Sequence, residues 1–182
     1  MFIQLKRCQR SLSITSLFCG AFLFASVSHA ACVNGLRQET PTSRFTLQAD
    51  VVTDTHTGLM WQRCALGQQW QTEKSRCNLN LEQQRLFTWP QALEASKASP
   101  LGGYSDWRLP NKNELASIVE RACTGPAINE TVFPSTTAAE FWTSTPGRRE
   151  GGYAWRINFK TGDILNIQTD QTYSVRLVRD AQ

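Results

Sequence analysis

The side chains that could carry catalysis in this chain are few and scattered. Of its two histidines, His29 falls in an N-terminal leader, which leaves His56 in the turn Asp54-Thr55-His56-Thr57-Gly58. A Ser-His-Asp or Cys-His relay would have to pass through His56, and a turn histidine among hydroxyl and small residues is expected to be solvated. Asp50 and Asp54 could pair as carboxylates only by meeting across that turn, where acidic side chains are commonplace and bond local backbone. No nucleophile and base set is expected, and the chain reads as a non-enzyme. Metal chemistry is equally thin. There is no C-x-x-C pair to hold zinc, and Asn158, Asp163, Asn166 and Asp170 lack the spacing of a calcium loop, as do Asn129, Glu130 and Thr131. No metal and no cofactor are expected.

Binding chemistry is better represented. Trp61, Trp70, Trp89, Trp107, Trp142 and Trp155 supply flat apolar faces with polar edges, suited both to cores and to sugar stacking. Five of them fall in regular elements, where core is the expectation. Trp70 sits in the polar insert Gly67-Gln68-Gln69-Trp70-Gln71-Thr72, bracketed by Cys64 and Cys77, and reads either as a ligand contact or as a cap on a disulfide. Arg148 and Arg149 stand at the tip of the Gly/Pro-rich loop 145–152, where they could meet an anionic polymer, lipid headgroups or a protein, or act as surface solubilisers. The ligand-contact candidates are therefore Trp70, Arg148 and Arg149.

The first thirty residues read as an address. Lys6, Arg7 and Arg10 form a positive region without acids, an apolar stretch runs from Leu12 to Val27, and Ser28-His29-Ala30 offers a cleavage site after Ala30. The apolar stretch is marginal for spanning a bilayer, so no stable transmembrane anchor is expected after cleavage. His29-Ala30-Ala31 lacks the aliphatic residue expected upstream of a lipidated Cys32. Cleavage leaves roughly 150 residues, enough for one domain. It also removes three cationic residues, taking the formal charge from +4 to about +1, which argues against nucleic acid as a partner.

Four cysteines remain after cleavage. An even number in an exported chain reads as two disulfides, with three possible pairings. Cys64 and Cys77 bracket a short insert and are expected to close it, which leaves Cys32 to join Cys123. Expected domains are a signal peptide over 1–30, an irregular lead-in over 31–49 and one folded domain over 50–182.

The elements that must position these residues follow from periodicity and capping. Val51 to Thr53 and Leu59 to Arg63 read as strands around the Asp54–Gly58 turn. Thr88-Trp89-Pro90-Gln91 starts a helix, with Trp89, Ala92, Leu93 and Ser96 on one face. Asn111-Lys112-Asn113-Glu114 starts a second, with Leu115, Ile118, Val119 and Ala122 as a buried stripe ending at Cys123. Just upstream, Trp107 and Leu109 are expected in the core, and Asp106 and Arg108 in local bonds that lead into the cap. Phe141 to Ser144, Tyr153 to Phe159, Ile164 to Gln168 and Tyr173 to Val178 read as strands. In the last of these, Tyr173, Val175 and Leu177 alternate with Ser174, Arg176 and Val178.

An ordered series of short motifs runs through this framework. It comprises Thr57-Gly58-Leu59-Met60-Trp61, the pair Cys64 and Cys77, Thr88-Trp89 to Ala95, and the run Gly103 to Leu115. Pro126-Ala127-Ile128-Asn129, Val132-Phe133-Pro134, Phe141-Trp142-Thr143-Ser144, Trp155 to Gly162 and Val175-Arg176-Leu177-Val178-Arg179 follow. The series resembles the Lcl C-terminal domain family from about Asp50 to Asp180. That resemblance implies an α+β fold of C-type-lectin-like architecture, with twisted antiparallel sheets carrying two short amphipathic helices. It also implies extracytoplasmic binding or surface attachment, in the periplasm or at the cell surface. The expected partners are a glycan, an anionic polymer or an envelope protein; the last would suit a periplasmic or pilus-associated assembly component. The fold is also related to formylglycine-generating enzymes, but the cysteines here read as structural and the activity does not transfer.

Overall fold

The computed structural model describes residues 30–78, 85–97, 101–148 and 151–181. The expected signal peptide and Arg149 lie outside the described residues. In chain order the strands are β1 (Ala31–Cys32), β2 (Phe45–Gln48), β3 (Val51–Asp54), β4 (Leu59–Gln62), β5 (Trp70–Gln71) and β6 (Arg76–Cys77). Helices α1 (Trp89–Lys97) and α2 (Lys112–Ala116) follow, then β7 (Cys123–Thr124), β8 (Glu140–Pro146), β9 (Tyr153–Asn158), β10 (Asp163–Gln168) and β11 (Val178–Asp180). All the strand pairing within the sheets is antiparallel. One sheet has the order β11-β4-β3-β2, another β10-β9-β8, and β1-β7 and β5-β6 form two-stranded ribbons.

The central sheet is covered on both faces. In β3 and β4, Val52, Leu59 and Trp61 enter one core with Leu115, Ile118, Val119, Phe133, Phe141, Ile157 and Phe159. Their neighbours Val51 and Met60 enter a second core with Trp107, Leu109, Trp142, Ala154, Val175 and Leu177, against which Trp89 and Leu93 of α1 pack. The alternation along each strand therefore feeds two cores, which is why every residue of β4 is buried.

The two helix starts form by local chemistry. In α1, Gln91 Oε1 accepts from the Thr88 N–H at 3.0 Å, and Ala92 and Ser96 are buried as the periodicity predicts. At α2, Asn111 accepts from the N–H groups of Asn113 and Glu114 while Glu114 accepts from the Asn111 N–H, a complete capping box. The helix is shorter than its apolar stripe suggests. Beyond Ala116, Ile118 and Val119 donate to carbonyls three residues back, and Glu120 donates to Ala127 O at 3.0 Å instead of continuing the ladder. Ile118, Val119 and Ala122 are still buried; the stripe reaches the core as tightened turns.

Three further expectations are revised. The lead-in is not wholly irregular, because β2 pairs with β3 from Phe45 opposite Asp54 to Gln48 opposite Val51. Arg108 makes the expected local bond into the cap, through Glu114, but Asp106 bonds across the fold instead of locally. Asp106 takes Arg179 in two hydrogen bonds (Nε–Oδ1 2.7 Å, Nη2–Oδ2 3.1 Å), while Arg108 takes both oxygens of Glu114 and reaches Asp180 at 3.1 Å. Trp107 and Leu109 fill core as expected. The last predicted strand is a ladder only at Val178–Asp180, with isolated bridges from Tyr173 to Phe87 and from Ser174 to Phe141. Ser174 through Arg179 are buried on both sides.

Arg176 is the consequence of that burial. It is wholly enclosed, donating to Gln62 O, Arg63 O and, at 2.7 Å, Thr136 Oγ1. Its guanidinium lies 4.9 Å from the Phe133 ring centre and 5.8 Å from that of Phe141. Burial, with the nearby Arg63 charge adding to it, pulls its pKa down to about 9, so it remains a cation at neutral pH. Arg176→Ala leaves those acceptors unpaired and a cavity between the rings. Denaturant unfolding is expected to show a loss of about 3–5 kcal/mol, with Arg176→Lys recovering only part because an ammonium cannot reproduce the planar fork.

A second buried ionic centre fixes the lead-in. Glu120 is 1 % exposed and accepts from the N–H groups of Glu39, Thr40 and Ala122 and from the Thr40 hydroxyl. Burial pushes its carboxyl upward, but these donors outweigh it and hold it below the ordinary 4.5. Asp54, opposed by burial in the same way, is held below 3.8 by Arg44, Thr57 and the His56 N–H. A lowered folded value means stability that is present above the unfolded value and lost as pH falls through the folded one. Unfolding free energy should therefore drop below pH ~4.5. Glu120→Gln should be less stable at neutral pH and show a shallower acid limb; an unchanged limb would remove Glu120 from that role.

Candidate functional site

The predicted disulfides are both present. Cys32 joins Cys123 and Cys64 joins Cys77, across sequence separations of 91 and 13. The first fastens β1 to β7, where Cys32 and Cys123 are register partners. The second closes the insert carrying Trp70, and β5 and β6 pair inside it with Trp70 opposite Cys77. The loop is held further by Asn78, which accepts from the Gln69 N–H at 3.0 Å and donates its own N–H to Gln69 O. Gln68 accepts from the Ala65 N–H at 3.0 Å. A polar segment of this length gains its order from these closures.

Trp70 is half-buried at the wall of a cleft of about 460 Å³. Asp50, Leu66, Gln69, Thr72 and Leu101 also line it. One side of the indole is taken by the Arg63 guanidinium, 4.3 Å from the ring centre, an arrangement worth roughly 0.5–2 kcal/mol. Arg63 is itself 6 % exposed. It donates from Nε to Val132 O at 2.9 Å, from Nη1 to Ala49 O at 2.8 Å and from Nη2 to Thr131 O at 3.0 Å, and burial lowers its pKa. Both readings of Trp70 from sequence thus have a physical counterpart: the ring covers a buried cation beside the disulfide loop and also faces a cleft. Arg63 was read from sequence only as the end of a strand and Asp50 only as half of a carboxylate pair with Asp54, since nothing in an isolated Arg or Asp marks it as lying beside a tryptophan.

Arg148 is exposed in the β8–β9 connection. Its neighbour Gly147 is required there, because a Cβ at that position would lie 2.6 Å from Tyr153 Cβ and 2.7 Å from Asn166 Oδ1. Arg148 is not among the residues lining the Trp70 cleft, so the two predicted contact regions do not share one pocket. On the same hairpin, Trp155 is half-buried with the Lys112 ammonium 4.5 Å from its ring centre, adding a cation and an aromatic to that surface. Trp61, Trp107 and Trp142 are core residues, at 0 %, 3 % and 0 % exposure.

His56 is exposed, and its backbone N–H serves Asp54 at 3.0 Å. The Asp54 carboxylate is committed to Arg44 and Thr57, while Asp50 lies at the other end of β3, so strand geometry separates the two by ~13 Å. Of the oxygen donors weighed for calcium, Asn158 accepts from the Lys160 N–H and Asp163 from the Thr161 hydroxyl. Among the described residues no group of three His, Cys, Asp or Glu side chains is placed to hold a metal ion. Nor does any helix among them have the length and apolarity to cross a membrane.

Fold and cleft together define a class: a small α+β domain of antiparallel sheets, stapled by two disulfides, with an aromatic-walled cleft beside one of them. The model of the Lcl C-terminal domain matches residues 50–179, and the chain belongs to that family. Comparison with the curated proteins finds no match. The two disulfides fit an exported protein. Replacing both Cys64 and Cys77 by Ser should lower stability by about 3 kcal/mol and loosen Trp70 from Arg63. Acrylamide quenching of tryptophan fluorescence should rise in that variant, and unchanged quenching would show that the loop is ordered without its staple.

Proposed function

We propose that this protein is a noncatalytic, exported binding module of the cell envelope or cell surface, acting in adhesion or in capture of a glycan or anionic polymer. The observation that carries the reading is Trp70: a half-buried indole, backed by a fixed guanidinium and stapled in a polar loop, set in the wall of a cleft. Preorganised aromatic surface of this kind binds without chemistry, because little side-chain freedom is lost on contact. The buried carboxylates that depart from ordinary values, Asp54 and Glu120, are both lowered and tied to structural partners, the opposite of a carboxyl poised to hold a proton at neutral pH. The C-type-lectin-like architecture implied by the family suits the same role. Arg148 and Arg149 are assigned to a second contact region for anionic groups.

The test is a binding screen of the oxidised protein against immobilised neutral and sulfated polysaccharides. Trp70→Ala and the double variant Arg148→Ala/Arg149→Ala should each weaken at least one interaction by about tenfold. Polymer binding through the arginines should also fall as salt rises. Wild-type affinity in both variants would remove these residues from the contact surface. Isolation of one discrete envelope protein, with no polysaccharide binding, would replace the reading with that of an assembly component.

A further inference from the structure

The walls of the Trp70 cleft have a composition that restricts what can enter. Among the described residues lining it, Asp50 is the one ionisable side chain. Asp50 is half-buried; its carbonyl accepts from the Arg63 N–H at 2.9 Å, and its carboxylate has no hydrogen bond or ion pair with the described residues. Arg63, the cation against the Trp70 ring, is not among the residues lining the cleft. Each of its guanidinium nitrogens is spent on a backbone carbonyl and its face is spent on the indole. An entering anion would therefore meet an unpaired carboxylate and no available cationic donor, which costs Coulomb energy in a partly dehydrated site.

The other walls favour a compact ligand with apolar faces and many hydroxyls. Leu66 and Leu101 are partly buried apolar side chains, and Trp70 presents to the cleft what Arg63 leaves uncovered. Beside them, Gln69 and Thr72 line the cleft, and neither the Gln69 side-chain amide nor the Thr72 hydroxyl has a hydrogen bond to the described residues. A carboxylate accepts strongly from hydroxyl donors, an amide both donates and accepts, and an indole takes the C–H face of a sugar ring. The volume, about 460 Å³, falls within the roughly 300–1,000 Å³ of small-molecule sites.

We infer that this cleft is a subsite for an uncharged hexose or N-acetylhexosamine unit, with Asp50 as the hydroxyl acceptor that admits neutral sugars and turns away sulfated and uronate ones. The inference rests on the reading of the chain as a binding module, and it separates two ligand chemistries: neutral sugar in the cleft, anionic groups at the Arg148 loop.

The experiment titrates the oxidised protein with maltose, cellobiose and N,N′-diacetylchitobiose, and in parallel with a chondroitin sulfate disaccharide and glucosamine. Saturation-transfer NMR and tryptophan fluorescence are the readouts. At least one neutral disaccharide should saturate, with an affinity that does not change up to about 0.5 M salt. Asp50→Asn should weaken it by about tenfold or more, as should Trp70→Ala. Asp50→Asn is the decisive variant, since it is nearly isosteric and the carboxylate makes no bond with the described residues that its loss would break. The inference is overturned if no neutral disaccharide saturates, if Asp50→Asn binds as tightly as the parent, or if only the sulfated sugar or the charged amine binds. Loss of neutral-sugar binding alone, with arginine-dependent polymer binding intact, would overturn the subsite and leave the module reading standing.

Discussion

Much of this domain is organised around a buried cation. Arg176 has no carboxylate partner among the described residues, and its charge is met by the carbonyls of Gln62 and Arg63, the hydroxyl of Thr136 and the faces of Phe133 and Phe141. Those groups come from the end of β4, from the loop after Phe133 and from β8, so one planar fork ties together three parts of the chain that share no ladder hydrogen bond. A buried charge is costly unless each of its donors finds a partner. Nη1 and Nη2 of Arg176 find partners while its Nε finds none among the described residues, so the groups that do hold the guanidinium tolerate little displacement. Arg63, whose own carbonyl is one of the acceptors, is drawn into the same network.

That link reaches the cleft. The Arg63 backbone serves Arg176 on one side, while its guanidinium clasps Ala49, Thr131 and Val132 and supports Trp70 on the other. The Cys64–Cys77 bridge begins at the next residue. A polar insert with little core of its own is thereby given one orientation for its aromatic ring, and Asp50 is carried to the same cleft by its position just before β3. The Cys32–Cys123 disulfide and Glu120 do comparable work at the other end, holding the chain before β2 against the turns after α2. The lead-in lies before the family match, which begins at residue 50. In this chain it is nonetheless part of the fold, since β2 extends the central sheet.

Much of the framework was legible in the sequence because its signals are local. The Asn111–Glu114 capping box, the Thr88–Gln91 start, the turn after Asp54 and the alternation in β9 each depend on residues within a few positions of one another. The short cysteine spacing pointed to the Cys64–Cys77 closure, and the remaining pair followed. The departures are the places where distant residues compete for local bonds. Glu120 leaves the second helix for Ala127, Asp106 passes over Arg108 for Arg179, and the segment from Ser174 is covered on the side where alternation predicts solvent.

By itself, then, the sequence marked both helix starts and most of the longer strands, favoured the disulfide pairing that the structure has, and pointed to the α+β class and to one family for the motif series. It also marked Trp70 as the unusual tryptophan, because a large aromatic in a polar, cysteine-bracketed insert stands out in composition alone. Only the tertiary structure decided which cation lies against that indole, that Arg148 lies outside the same cleft, and that Asp50 is the one charge lining it among the described residues. The physical reason is that capping, periodicity and loop closure act between near neighbours. The electrostatic character of a cleft is instead the sum of side chains brought together by packing, and no spacing along the chain records that sum.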